Sequence, residues 1–155
     1  MKSLEKGIKV IARNKKASHD YFIHDTYDVG IVLKGTEIKS IRNNKVNISD
    51  AYCDIKNNEL WIVNMNISKY EKGNIFNHDE LRDRKLLAHR NEIRKMIGKL
   101  QLEGLTLIPL EVYLENGLCK IKIAFGKGKK NYDKRDDMKE KSAQREIEQK
   151  LKSKR

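Results

Sequence analysis

Groups able to make or break bonds are scarce in this 155-residue chain, and the few present sit close together: His19-Asp20, His24-Asp25 and Asp28. An imidazole beside a carboxylate is raw material for acid–base catalysis. Catalysis also needs a nucleophile or a second carboxylate converging on one substrate bond. No such partner is legible here, and polar residues satisfying one another along a strand edge account for the run. A Walker-type phosphate loop is missing too, because Gly126-Lys127-Gly128-Lys129-Lys130 lacks both the spacing and the apolar helix that must follow. His19, His24, His78 and His89 fall at no metal-ligand spacing relative to Cys53 and Cys119. The sequence therefore predicts no enzyme, no metal and no cofactor.

What the chain holds in quantity is positive charge. Lys and Arg total 34 against 22 Asp and Glu, a net charge of +12. Such an excess on a small protein points to a polyanion, since each neutralised phosphate releases a counterion. Nucleic acid leads, with an anionic membrane surface second. Arg13-Asn14-Lys15-Lys16 follows a strand-like run and precedes His19, Tyr21 and Phe22, so cations for phosphates lie beside rings for bases. Lys39, Arg42 and Lys45 make a second cluster, and Lys120 with Lys122 a third. Aromatic residues are only 6% of the chain, which favours recognition of shape and backbone over reading of single-stranded sequence. From residue 127 onward there are 12 Lys and Arg against 6 Asp and Glu, half of the whole excess. There Lys127, Lys129 and Lys130 alternate with flexible glycine, Tyr132 offers a stacking ring, and Lys134-Arg135 renew the charge.

These residues need elements to hold them. Residues 8–12, 21–23 and 29–33 read as short strands, and 35–42 as a short helix closed by Asn43-Asn44. Residues 48–55 and 60–67 read as a hairpin around Asn57-Asn58, with Trp61, Val63, Met65 and Ile67 on its buried face. Residues 105–114 and 118–125 flank Asn116-Gly117, a pair suited to a tight turn. Between the hairpins, the apolar spacing of Leu86, Ile93, Met96, Ile97 and Leu100 predicts one helix over 80–102, with Asp79 as N-cap. The expected fold is mainly β, a small closed antiparallel barrel with about three flanking helices. Residues 1–126 form the domain. Residues 127–155 form a basic tail, disordered when free because its sizeable apolar residues, Tyr132, Met138, Ile147 and Leu151, are too few. Ala143, Ile147 and Leu151 lie at i, i+4 spacing, so a helix can form once a partner neutralises the charge. Residues 1–6 begin no apolar targeting segment, and no apolar run approaches the roughly 20 residues that span a bilayer. A cytoplasmic protein, with no membrane partner and with both cysteines as reduced thiols, is expected.

Several stretches match a known family. They are Ala12-Arg-Asn-Lys-Lys-Ala-Ser-His-Asp-Tyr-Phe-Ile23, Gly35-Thr-Glu-Ile-Lys-Ser-Ile-Arg42, Asn47-Ile-Ser-Asp-Ala-Tyr52, Gly104-Leu-Thr-Leu-Ile-Pro-Leu110 and Gly126-Lys-Gly-Lys-Lys-Asn-Tyr-Asp-Lys-Arg135. Spaced in order over nearly the whole chain, they make it resemble the bacterial SsrA-binding proteins, the small protein B family.

The resemblance implies an oligonucleotide-binding-fold barrel that grips the tRNA-like domain of transfer-messenger RNA. It also implies a tail that enters the decoding centre and empty mRNA channel of a stalled small subunit and becomes helical there. The protein would act as a monomer that recruits and positions, with transferase chemistry left to the ribosome. By position, Asn14, Lys15 and His19 match the family's RNA-facing loop, with Lys16 beside them as a candidate from the basic cluster, and Lys120 matches a basic strand position. Lys127, Lys129 and Lys130 match the basic stretch leading into the tail. Asp28 stands where many members carry Glu, and His89 where some carry Asn. Tyr132 takes the place of a ring that stacks in the decoding centre. Asp133, Lys134, Arg135, Met138, Lys139 and Ile147 continue the ribosome-directed tail. Charge and fold alone would equally serve a general RNA chaperone or a ribosome-associated RNA-binding barrel.

Overall fold

A computed structural model describes residues 7–73, 77–102 and 104–153, with side chains up to residue 149. The segment 1–6 and the side chain of Leu151, both used above, lie outside the described residues. The strands are β1 (Ile8–Arg13), β2 (Tyr21–Ile31), β3 (Val46–Asn47), β4 (Tyr52–Lys56), β5 (Glu59–Val63), β6 (Asn66–Ile67), β7 (Arg84–Leu87), β8 (Leu105–Glu115) and β9 (Leu118–Gly128). The helices are α1 (Ala17–Asp20), α2 (Gly35–Arg42), α3 (Arg90–Leu100) and α4 (Asn131–Ser153).

Seven strands form one antiparallel sheet in the order β1-β8-β4-β5-β7-β2-β9, and β9 also pairs with β8. That pairing closes the sheet into the expected barrel and leaves β1 as a flap on β8. β3 and β6 form a separate two-stranded ladder. Inside lie Leu60, Ile62, Leu86, Leu107, Val112, Ile121, Ile123 and Phe125, joined by Ile41 from α2 and Met96 from α3. Each such buried side chain contributes about 1.5–3 kcal/mol relative to exposure.

Turn chemistry sets the register. Asn57 and Asn58 (φ 51° and 61°), and Asn116 and Gly117 (φ 50° and 83°), supply the paired positive angles of two-residue hairpins. Pro109, lacking an N–H, sits where the β8–β9 register shifts. The long β9 approaches β2 so closely that a Cβ on Gly126 would lie 2.9 Å from the Cβ of Tyr21.

The structure departs from the expected elements in four places. The expected hairpin of 48–55 and 60–67 is shorter, Tyr52–Lys56 against Glu59–Val63, and Asn66–Ile67 pair with Val46–Asn47 instead. Residues 21–23 and 29–33 belong to one strand, β2, which stays continuous through a bulge between Ile23 and Thr26. The helix expected over 80–102 is a strand followed by a shorter helix: β7 fills the gap between β5 and β2, and α3 starts only after His89. Apolar Leu86 serves the barrel interior in a strand as well as it would serve a helix face. Finally, Leu60 and Ile62, rather than Trp61 and Val63, point into the core. Asn64, at φ 62°, then reverses the alternation so that Met65 and Ile67 are buried as well.

Beyond Gly128 the chain turns into α4, the helical form that its apolar spacing allows. Among the described residues, its contacts with the barrel come from its first two turns. From Met138 to residue 149 every side chain is exposed, so little besides its own hydrogen bonds supports that stretch.

Candidate nucleic-acid interface

The loop between β1 and α1 is tied down by Asn14. Its N–H donates to the Leu110 carbonyl at 2.8 Å and its Nδ2 to the Pro109 carbonyl at 3.0 Å. Its Oδ1 is buried without a donor. Asn14 thus shapes the loop, while Lys15, Lys16 and His19 project into solvent. A cleft of about 300 Å³ opens beside it, lined by Asn14, Lys16, Tyr21, Asp50 and Tyr52 among others. His19 Nδ1 lies 3.0 Å from Asp20 Oδ1, and Lys134 Nζ 3.3 Å from the same oxygen. The His19 hydrogen bond holds the Asp20 carboxyl below its ordinary value, against the opposing effect of burial and with help from Lys134.

The outer face of β2, β9 and β8 forms a second group. Asp28 pairs in register with Lys122, Gly30 with Lys120, and Tyr113 with Lys120 from the other side. These side chains therefore share one face. Tyr113 Oη donates to Asp28 Oδ1 at 2.8 Å. Burial first, and then the Asp28 carboxylate, push the Tyr113 phenol up, so it stays a donor. Lys120 Nζ lies 3.1 Å from Glu115, and Arg13 3.6 Å from Glu111. Cations and carboxylates alternate here, a surface for directed hydrogen bonds more than for bulk attraction. On the neighbouring strand Leu87 packs against Gly30, its Cβ 3.3 Å from where a side chain would begin, and stays half exposed. His89 lies two residues beyond, exposed, as the N-cap of α3; its N–H donates to Glu92 Oε1 at 3.2 Å.

The third group is the junction of β9 and α4. Lys127 and Lys130 are exposed, and with Phe22, Ile23, His24 and Tyr132 they line an open cleft. Lys129 is different: its side chain is only 7% exposed. Tyr132, Arg135, Met138, Lys139 and Ile147 are exposed along α4, while Asp133 Oδ2 accepts the Lys130 N–H at 3.2 Å. Lys39, Arg42 and Lys45 lie apart, exposed on α2 and the turn after it, with Lys39 Nζ 5.4 Å from the Tyr70 ring centre.

The acidic and imidazole groups near the start of β2 do not converge. Asp20 faces His19 and Lys134, Asp25 pairs with Lys99 of α3, and Asp28 faces Tyr113. Among the described residues no three His, Cys, Asp or Glu side chains gather as metal ligands. Cys53 is buried, and burial pushes the Cys119 thiol up to about 12, so both read as packing groups.

The sequence pattern of the family described as "SmpB protein" matches residues 11–153. The chain belongs to the SmpB family. Among similar curated relatives, the "SsrA-binding protein" of Geobacillus thermodenitrificans (strain NG80-2) is 59% identical over 140 residues, covering 90% of each chain. That of Bacillus subtilis (strain 168) is 57% identical with the same coverage. A solved structure described as "tmRNA-SmpB: a journey to the center of the bacterial ribosome" superposes with a TM-score of 0.65 at 44% identity. It covers 77% of this chain and 85% of the other.

Family membership leaves some of this geometry unannounced. Tyr113 reads in the sequence as an ordinary strand residue and Leu87 as part of the expected helix, and only the pairing of β7, β2, β9 and β8 brings them to Asp28 and Lys120. A buried ion cluster beneath α2 was missed as well. Glu37 and Arg84 are both fully buried and paired, Arg82 Nη2 lies 2.6 Å from Glu37 Oε1, and Arg84 Nη1 donates to the Met65 carbonyl at 2.7 Å. Nearby, buried His78 bridges Thr36 Oγ1 and the Ile67 carbonyl at 2.9 and 2.8 Å. Because the Nε2 of His78 faces a carbonyl, it must carry the hydrogen.

Proposed function

We propose that this chain binds the tRNA-like domain of transfer-messenger RNA with its barrel and carries that RNA to stalled ribosomes for trans-translation. It acts as an RNA-binding adaptor in the cytoplasm, without chemistry of its own. The observation that carries the reading is the family match from residue 11 to residue 153, which runs through the barrel and on into the tail. The name "SsrA-binding protein" on relatives sharing 57–59% of their residues supports the RNA partner. The related structure, described as tmRNA-SmpB in the bacterial ribosome, supports the second partner.

Within that reading the exposed loop cations Lys15 and Lys16, with His19, and the Asp28–Lys120 face contact the RNA, and Lys127 and Lys130 extend the surface toward the tail. Residues from Tyr132 onward address the decoding centre and mRNA channel. The exposed length of α4 suits a segment that is disordered when free and gains its support from the ribosome.

A pull-down with the full-length protein tests this. It should retain transfer-messenger RNA far above bulk tRNA and ribosomal RNA. Equal retention would make it a general RNA-binding barrel. Incubated with RNA and a divalent metal, the protein should leave the RNA intact; cleavage would make His19 and Asp20 catalytic groups after all.

A further inference from the structure

Lys129 stands in a run of cations that all look suited to phosphate, yet its surroundings set it apart. A lysine ammonium has three donors. The Nζ of Lys129 pairs with the Asp137 carboxylate of α4, donates to the Ser18 carbonyl of α1 at 2.9 Å, and sits 5.0 Å from the centre of the Phe22 ring on β2. Carboxylate and carbonyl take two of the three, and the ring face covers the group on another side. With 7% of its side chain exposed, the group has little open approach for a phosphate.

The contacts around it reinforce the same joint. The Lys129 N–H donates to the Asp20 carbonyl at 2.8 Å, and Lys134 Nζ reaches Asp20 Oδ1 at 3.3 Å. Asp137 and Lys134 lie on the first two turns of α4, and Ser18 and Asp20 on α1, directly beside the loop that carries Lys15 and Lys16. Three elements, β2, α1 and α4, therefore meet at one amine just past the end of β9.

We infer that Lys129 is a positioning residue: with Asp137 it clasps the start of α4 to α1, fixing the direction in which the tail leaves the barrel, and it makes no contact with RNA. The inference rests on the proposed division between RNA-binding barrel and ribosome-directed tail, but part of its test needs only the free protein.

In the free full-length chain, amide exchange over residues 131–138 should be slowed, and Lys129→Ala or Asp137→Ala should raise those rates at least about tenfold. For RNA, Lys127→Ala and Lys130→Ala should each lower the slope of log affinity against log salt by about one unit per true phosphate contact. Lys129→Ala should leave both slope and affinity unchanged within about twofold. Tagging on stalled ribosomes should fall in Lys129→Asp and in Asp137→Lys, and recover when the two are combined, since the swap restores the pair. A slope that drops for Lys129→Ala, unprotected amides over 131–138 in the wild type, or a double swap no better than its parents would overturn the clasp. A wild-type protein that fails to prefer transfer-messenger RNA would instead sink the proposed function, and the exchange result would stand apart from it.

Discussion

At the scale of single residues, identity alone is a poor guide to which cations are offered to a partner. Lys15, Lys127 and Lys129 are equally basic in the sequence, but two project into solvent and one is consumed by Asp137, Ser18 and Phe22. Its partners lie 8 to 111 positions away in sequence, so no local pattern could reveal them. For the exposed set, the combined Lys15→Ala and Lys120→Ala variant should weaken RNA binding and flatten its salt dependence by about one unit for each phosphate left unpaired. An unchanged slope in a salt titration would place both lysines away from phosphate. Glu37 gives a prediction of another kind. Burial raises its carboxyl, but hydrogen bonds from Arg82, the Lys34 N–H and Arg84 outweigh burial and hold it below its ordinary 4.5. A depressed carboxyl stabilises the fold fully above that unfolded value and loses the contribution as pH falls through the folded one. Urea midpoints of the wild type should therefore drop below about pH 4.5. Glu37→Gln, which strands two guanidinium groups, should cost roughly 3–5 kcal/mol at neutral pH and respond less to acid over that range.

At the scale of elements, the barrel depends on close passages and turns more than on strand propensity. Gly126 is the sharpest case, because a methyl group there would meet the Tyr21 side chain at 2.9 Å across the β2–β9 ladder. Gly126→Ala should destabilise the fold by about 1–3 kcal/mol, the usual cost of overpacking, seen as a lower denaturant midpoint with an unchanged slope. A neutral result would mean β2 and β9 are free to separate. Much of the element plan was legible: the Asn57-Asn58 and Asn116-Gly117 turns, the helix at 35–42 and the closed barrel all follow from local chemistry. Other features were not. The apolar spacing around Leu86 fits helix and strand alike, and β7 is decided by a vacancy between β5 and β2 that no local window contains. Likewise the face change at Asn64 turns on one left-handed residue, which defeats a strict two-residue alternation.

At the scale of the whole molecule, the charge is shared between two bodies of different construction. The barrel carries its cations on a buried frame, with Arg84, Glu37 and His78 locking α2 to the loop before β7. From Met138 to residue 149 the helix carries its cations on exposed turns. A barrel proposed to select an RNA and an extension proposed to enter a second partner make a consistent pair, and the proposed clasp at Lys129 joins them. The boundary read from composition, at residue 127, falls within two residues of the end of β9 at Gly128. What composition could not supply was the contact across that boundary. The most direct test is the yield of peptide tagging on stalled ribosomes, per bound RNA, for a chain ended before Tyr132. RNA affinity should stay within about twofold of the full chain while tagging is abolished. Collapse of RNA affinity on losing the tail, or tagging that survives it, would contradict the division of labour.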